Sequence, residues 1–347
     1  MFSKMFAKKE KYSVLCVGSV SKDVFFPTNE GKIWETPEDL TAQRKIVFEL
    51  GAKYQIDDIY EAPGGVAANV AQGLSRLGIN VAVHSNIGDD SVGEWIKKEL
   101  KREGVEIAFL ETEKNSNSDL SAIIVDRDSG ERVIFFNRDS NEKLKVDAGK
   151  FPLAEWVFIS ALNGEWKKNL DKILDWAQME KVKIAFNPGQ RNIQDDPEKI
   201  KAVLRRADLI FLNKDEAIGI IERETKTKEE REKLNEEFFL LKNIQNFHSS
   251  SLAVLTDGRR GGWAFNGKSF WRVDASADSP IETTGAGDAF TSGFFASYLK
   301  GKDVQECLRW GATNGGNVVR FYGAKEGLLK TTTIEKESKK IKVEKIK

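Results

Sequence analysis

The chain has 347 residues, 40% hydrophobic and 31% charged, with 54 Lys+Arg balanced by 54 Asp+Glu. That length fits two domains or one large α/β domain, and zero net charge argues against a nucleic-acid binder, which carries a basic field. No apolar run approaches the ~18 residues of a membrane-spanning helix, and two cysteines with two histidines leave no disulfide scaffold or zinc site, so the expected location is a reducing cytoplasm.

In chain order, residues 1–11 hold an apolar stretch too short for a secretory signal. Short β-branched or aromatic runs follow at 14–17, 81–83, 156–159, 182–186, 209–212 and 252–255. Such runs read as strands buried on both faces of a parallel sheet. Amphipathic stretches lie between them. Val66, Val70, Leu74 and Leu77 share one helical face, and Gly78 supplies the C-cap. Strands alternating with helices predict an α/β fold of three layers around a mainly parallel sheet.

Two segments break the rhythm. Residues 22–62 contain extended pieces such as 45–49 but no long helix. Residues 121–138 alternate around Asp128-Ser129-Gly130, a hairpin signal. Together they read as a small β lid, with two plain surface loops as the alternative. Residues 222–242 are rich in Lys and Glu and read as a solvated helix. The tail from 331, charged and alternating over 335–347, is expected to fray.

The glycine motifs carry the chemistry. Residues 262–269 match G-x-x-x-x-G-K-[ST], but Trp263 and Phe265 fill the loop and a strand-like run follows Lys268. A P-loop needs small residues and a following helix, whereas Asn266-Gly267 favours a hairpin turn. The P-loop reading is rejected. Thr283-Thr284-Gly285-Ala286-Gly287-Asp288 precedes a helical stretch and is the better phosphate nest, its free N–H groups backed by a helix dipole. A carboxylate beside an anion site makes sense if Asp288 takes a proton from an attacking hydroxyl; the alternative is a capping aspartate. Pro63-Gly64-Gly65 opens another helix, where Asn69 can face a hydroxyl, or the glycines form a plain tight turn.

These two segments together resemble the PfkB-type carbohydrate kinases of ribokinase-like fold. Residues 64–88 are similar to the family's N-terminal signature and residues 283–288 to its C-terminal one. Further marks fall in family order: Gly18-Ser19 with Asp23, Asn213-Lys214-Asp215-Glu216, and Thr256-Asp257-Gly258-Arg259-Arg260-Gly261. The resemblance spans 14–324. It implies a three-layer αβα kinase domain over about 12–330, with lid segments 22–62 and 119–138 and a charged tail at 331–347.

It further implies transfer of the ATP γ-phosphoryl group to a hydroxyl of a sugar. Asp288 would be the base and Gly285, Ala286 and Gly287 the anion hole. Asp23, Gly64, Gly65 and Asn69 would hold the acceptor. Asn213 and Glu216 would organise Mg2+ through water. Thr256, Gly258 and Gly261, with Asn314 and Asn317 in the adenine-flanking stretch 311–320, would line the nucleotide site. Glu282 stands where the family carries the Asp that in several members contributes to a monovalent-cation site. The longer arm either reaches that cation or displaces it, so K+ use stays open, as does a homodimer through the lid. A nucleoside kinase uses the same machinery, and a non-catalytic nucleotide sensor is the rival from another class. A Rossmann dehydrogenase is disfavoured, since no G-x-G-x-x-G follows the first strand.

Overall fold

The computed structural model describes residues 11–36, 44–275 and 280–347. Residues 1–10, read above for a signal, and 37–43 of the expected lid lie outside the described residues.

Alternation along the strand Lys11–Val17 divides its side chains between two cores, Leu15 and Val17 on one side and Val14 and Cys16 on the other. A strand buried on both faces must sit inside a sheet covered on both sides. It lies between Leu153–Ile159 and Val81–Gly88, parallel to each. In spatial order the sheet runs Val343–Lys345, Phe270–Val273, Gly262–Phe265, Leu252–Thr256, Leu209–Asn213, Lys183–Phe186, Leu153–Ile159, Lys11–Val17, Val81–Gly88 and Leu110–Glu113. Pairing is parallel from Leu252–Thr256 onward and antiparallel in the three preceding strands.

Helices Trp166–Met179, Pro197–Leu204, Lys214–Ile221 and Glu237–Gln245 cover one face. Helices Val66–Arg76, Ser91–Arg102, Ala286–Leu299 and Val304–Val318 cover the other. The result is the expected three-layer sandwich. Both cysteines are buried free thiols.

A second sheet, Tyr60–Gly64, Ser21–Thr28, Leu120–Asp126 and Arg132–Asn137, forms the lid. The hairpin turns where expected: Gly130 adopts φ 69° and donates its N–H to Asp126 O at 2.8 Å. Lys32–Glu35 pairs with Arg44–Val47 as a separate ribbon. Asn266-Gly267 is likewise a hairpin turn, with Gly267 at φ 85° and Lys268 exposed.

Two expectations are corrected. The single solvated helix over 222–242 is broken, because Thr227 and Glu230 form a capping box that starts the short helix Lys228–Glu232 anew. The next helix, Glu237–Gln245, buries Leu240, Leu241 and Ile244 in the core. Nor does the charged tail fray. Thr331–Glu337 is a helix anchored by buried Ile334, and Val343–Lys345 closes the sheet edge against Phe270–Val273. Charges that alternate with one buried Val343 suit an exposed edge strand.

Candidate active site

The parallel strands end on one edge of the sheet, where open α/β folds place their ligands. Helix Ala286–Leu299 begins there. Its N-cap Gly285 takes φ 76°, and a Cβ on it would lie 2.2 Å from the Cβ of Ala324. Only glycine satisfies both the conformation and the space. Gly287 is exposed, with nothing within 4 Å of where its Cβ would be. The helix N-terminus thus opens onto a cleft of about 450 Å³, bordered by Thr283, Ala286, Gly287, Asn213, Thr256 and Gly258. Gly261 also lines it; at φ 95°, a Cβ there would strike Val273 O at 2.1 Å.

Asp288 follows in the first turn of that helix. Asn69, on helix Val66–Arg76, donates from Nδ2 to Asp288 Oδ2 at 2.8 Å, which leaves Asn69 Oδ1 buried and unpartnered among the described residues. Burial pushes the Asp288 carboxyl up to about 6, with the Asn69 hydrogen bond opposing and the Asp23 charge reinforcing the shift. Asp23 is buried in the lid strand Ser21–Thr28, and Ser21 Oγ donates to it at 3.3 Å. Its carboxyl is also raised by burial, partly offset by hydrogen bonds from Ser121 and Ser21 and by the Arg138 charge. Gly64 lets Asp23 in: a Cβ there would be 2.2 Å from Asp23 Oδ2. Gly65, at φ 87°, packs against Ser19 O.

Behind Asp288 lies a cavity of about 190 Å³ lined by Asn187, Asn213, Glu216, Thr256, Gly287 and Thr291. Asn213 and Glu216 form a capping box at the start of Lys214–Ile221, so part of their hydrogen bonding is structural. Burial drives the Glu216 carboxyl up to about 8, helped by the charges of Asp288 and Asp215. Those neighbouring charges oppose ionisation of Glu216, so its carboxyl is held largely protonated at neutral pH unless a cation compensates. The oxygen-rich lining suits a hard divalent ion carrying its own waters.

Asn314 and Asn317 are corrections. Asn314 is buried and donates to Ala289 O at 2.9 Å, and its Oδ1 accepts from Leu329 N at 3.0 Å. Asn317 donates to Gly327 O at 2.7 Å. Both face away from the cleft and hold neighbouring segments. The opposite face of their helix presents Ala312, Gly315 and Gly316 to it. The sequence reading also missed Asn187, although it follows the strand Lys183–Phe186 at the same sheet edge. Lid residues Arg132 and Arg138 were missed as well, having no local motif.

The glycine-started helix Ala286–Leu299 opens onto the cleft, and Asp288 of its first turn borders the adjoining cavity. A family model described as pfkB family carbohydrate kinase matches residues 32–331. An ATP-dependent 6-phosphofructokinase of Thermoanaerobacterium thermosaccharolyticum is 24% identical over 337 residues, 94% of each chain. The solved nucleoside kinase of Methanocaldococcus jannaschii superposes with a TM-score of 0.74 at 22% identity, covering 96% of this chain and 99% of its own. A ribokinase-II-type protein of Escherichia coli, solved with ATP and Mg2+, gives a TM-score of 0.74 at 17% identity over 95% and 99%.

The chain belongs to the pfkB family of carbohydrate kinases. It is a kinase that transfers phosphoryl groups to hydroxyl acceptors. Among the described residues no helix is long and apolar enough to cross a membrane.

Proposed function

We propose that the chain phosphorylates a sugar hydroxyl from Mg2+-bound ATP, in the cytoplasm, with Asp288 as the base. The observation that carries this reading is the cluster Asp23, Asn69 and Asp288 beside the Gly285–Gly287 nest. Asp23 can accept two hydroxyl hydrogen bonds, and the free Asn69 Oδ1 accepts another, which suits a vicinal diol. Asp288 orients the hydroxyl and receives its proton as the new O–P bond forms and the bond from the γ-phosphorus to its bridging oxygen breaks, releasing ADP, because even a raised carboxylate is too weak to ionise an alcohol beforehand. The N–H groups at Gly285 and Gly287 meet the charge on the transferred group, joined by that of Ala286 once it leaves Thr283 O, to which it donates at 3.3 Å, and positioning supplies the larger share of the acceleration. Glu216, Asn213 and Asn187 would hold the hydrated Mg2+, which when bound neutralises phosphate charge. Thr256, Gly258 and Gly261 border the donor.

One observation favours a nucleoside as second reading. Phe136 pairs with Ser121, which pairs with Asp23, so all three share the lid's inner face. Phe136 is 62% exposed, and with the Arg138 guanidinium 5.0 Å from its centroid on one face, the other face is left to stack on a base. ADP release from ATP over a panel of sugars, nucleosides and their deoxy analogues separates the two. Turnover of a free sugar, lost when one diol hydroxyl is removed, supports the first. Turnover confined to nucleosides supports the second, and no acceptor-dependent ADP release contradicts both.

On the outer lid face, Phe135 is 63% exposed and Val133 lies beside Arg132 on the same strand. We take this face to pair two protomers. Sedimentation should give a dimer that Phe135→Glu converts to monomer; a monomeric parent protein contradicts the pairing.

A further inference from the structure

The loop leading into the anion hole is gripped by the lid. Glu282 is fully buried, and its Oε1 accepts from Thr284 N at 2.6 Å. That bond sets the backbone immediately before Gly285. Such a carboxylate needs a positive partner, since an unpaired buried charge is strongly disfavoured. The described residues supply one from far away in sequence. Arg132, on the lid strand Arg132–Asn137, brings Nε to 3.5 Å from Glu282 Oε1, and its Nη1 donates to Thr283 Oγ1 at 2.8 Å. Arg132 thus spans two consecutive residues of the loop.

The surrounding contacts agree. A Cβ on Gly130, at the lid hairpin, would lie 3.0 Å from Ile281 O. Ile281 N and Glu282 N both donate to Val319 O, fastening the loop to the segment after helix Val304–Val318. Further along that segment, Tyr322 stacks on Tyr60 of the lid, ring centroids 4.7 Å apart, and Gly323 abuts Ala62. The lid therefore touches the chain on both sides of Gly285, which itself packs on Ala324.

We infer that Arg132 is a positioning residue that supplies the counter-charge of Glu282 and thereby fixes the anion-hole loop when the lid is closed. The inference rests on the reading of residues 283–288 as the anion hole. The competing source of charge is a monovalent cation, for which Glu282 Oε2 and Thr284 Oγ1, buried and unpartnered among the described residues, are oxygen donors. A guanidinium already beside Oε1 opposes a metal ion there, and the two sources predict different salt behaviour.

Amide hydrogen exchange on the ligand-free protein tests the inference without requiring activity. Arg132→Ala should speed exchange of the Thr284 and Ala286 amides about tenfold. Adding Glu282→Gln to that variant should restore most of the protection, because the stranded charge is gone. Exchange within twofold of the parent in Arg132→Ala, or strictly additive effects of the two changes, would overturn the inference. In turnover, Arg132→Ala should lower kcat about tenfold or more while the ATP KM stays within about threefold, with Arg132→Lys intermediate. A raised ATP KM at unchanged kcat overturns the positioning role. The parent should turn over equally in potassium and tetramethylammonium chloride at matched ionic strength. A requirement for potassium would assign the counter-charge to the ion instead. Should no acceptor be turned over, the kinase reading fails while the exchange result still decides the role of Arg132.

Discussion

Burial sets the working range of Asp288. In water a carboxyl of this type titrates near 3.8, and here it is raised to about 6. Its folded value lies above its unfolded one, so the folded chain holds the proton more tightly. The stability this adds is complete below 3.8 and is lost as pH rises through about 6. The ionised carboxylate is therefore held against the preference of the fold, as is common for groups at catalytic sites. Asp23 meets a different need. Its partners Ser21 and Ser121 are weak neutral donors, and acceptor hydroxyls would complete its shell. Asp23→Ala should raise the acceptor KM at least about tenfold and leave the ATP KM unchanged, because of the two substrates only the acceptor is held by Asp23. Steady-state kinetics with each substrate varied in turn checks this. Equal acceptor KM values in a folded variant would remove Asp23 from the acceptor site.

At the scale of elements, the site depends on how a loop enters a helix. Gly285 combines a left-handed φ of 76° with a backbone pressed against Ala324. Gly285→Ala should displace the nest and lower kcat/KM for ATP about a hundredfold or more, while a substitution at open Gly287 is far better accommodated sterically. Kinetics of both variants, with thermal melting as the folding control, measure the difference; near-parent kcat/KM in Gly285→Ala contradicts the account. Gly285 was legible in the sequence as a helix-start glycine, because a left-handed φ pressed against Ala324 has few alternatives to glycine. The roles given to Asn314 and Asn317 were not recoverable. Periodicity puts them on one face of a helix, but which face meets the cleft depends on packing against helix Ala286–Leu299. The short charged tail strand was hidden for a similar reason: edge pairing with Phe270–Val273 supplies what local propensity lacks.

At the scale of the whole molecule, chain connectivity gathers residues that sequence distance keeps apart. Asn69 and Asp288 are separated by 219 positions and meet at 2.8 Å. Strand ends bring them together, so the sheet-edge rule made their neighbourhood predictable although the bond itself was not. The lid contacts follow no such rule. Arg132 reaches Thr283 across 151 positions, and nothing in the local pattern of either segment announces it. The sandwich was readable because buried parallel strands are continuous apolar runs. The long-range polar links depend on side-chain reach.

The central claim is that Asp288 is the base of a phosphoryl transfer, and the pH dependence of kcat/KM for the parent and Asp288→Asn tests it most directly. Below about 6 the carboxyl is protonated and cannot accept the hydroxyl proton. The parent should therefore show an acid limb centred near 6, falling about tenfold per unit below it. Asp288→Asn keeps an acceptor oxygen for Asn69, so the variant should fold and bind ATP, with kcat lowered at least about a hundredfold and that limb absent. A folded Asp288→Asn protein within a few-fold of the parent and carrying the same acid limb would contradict the account.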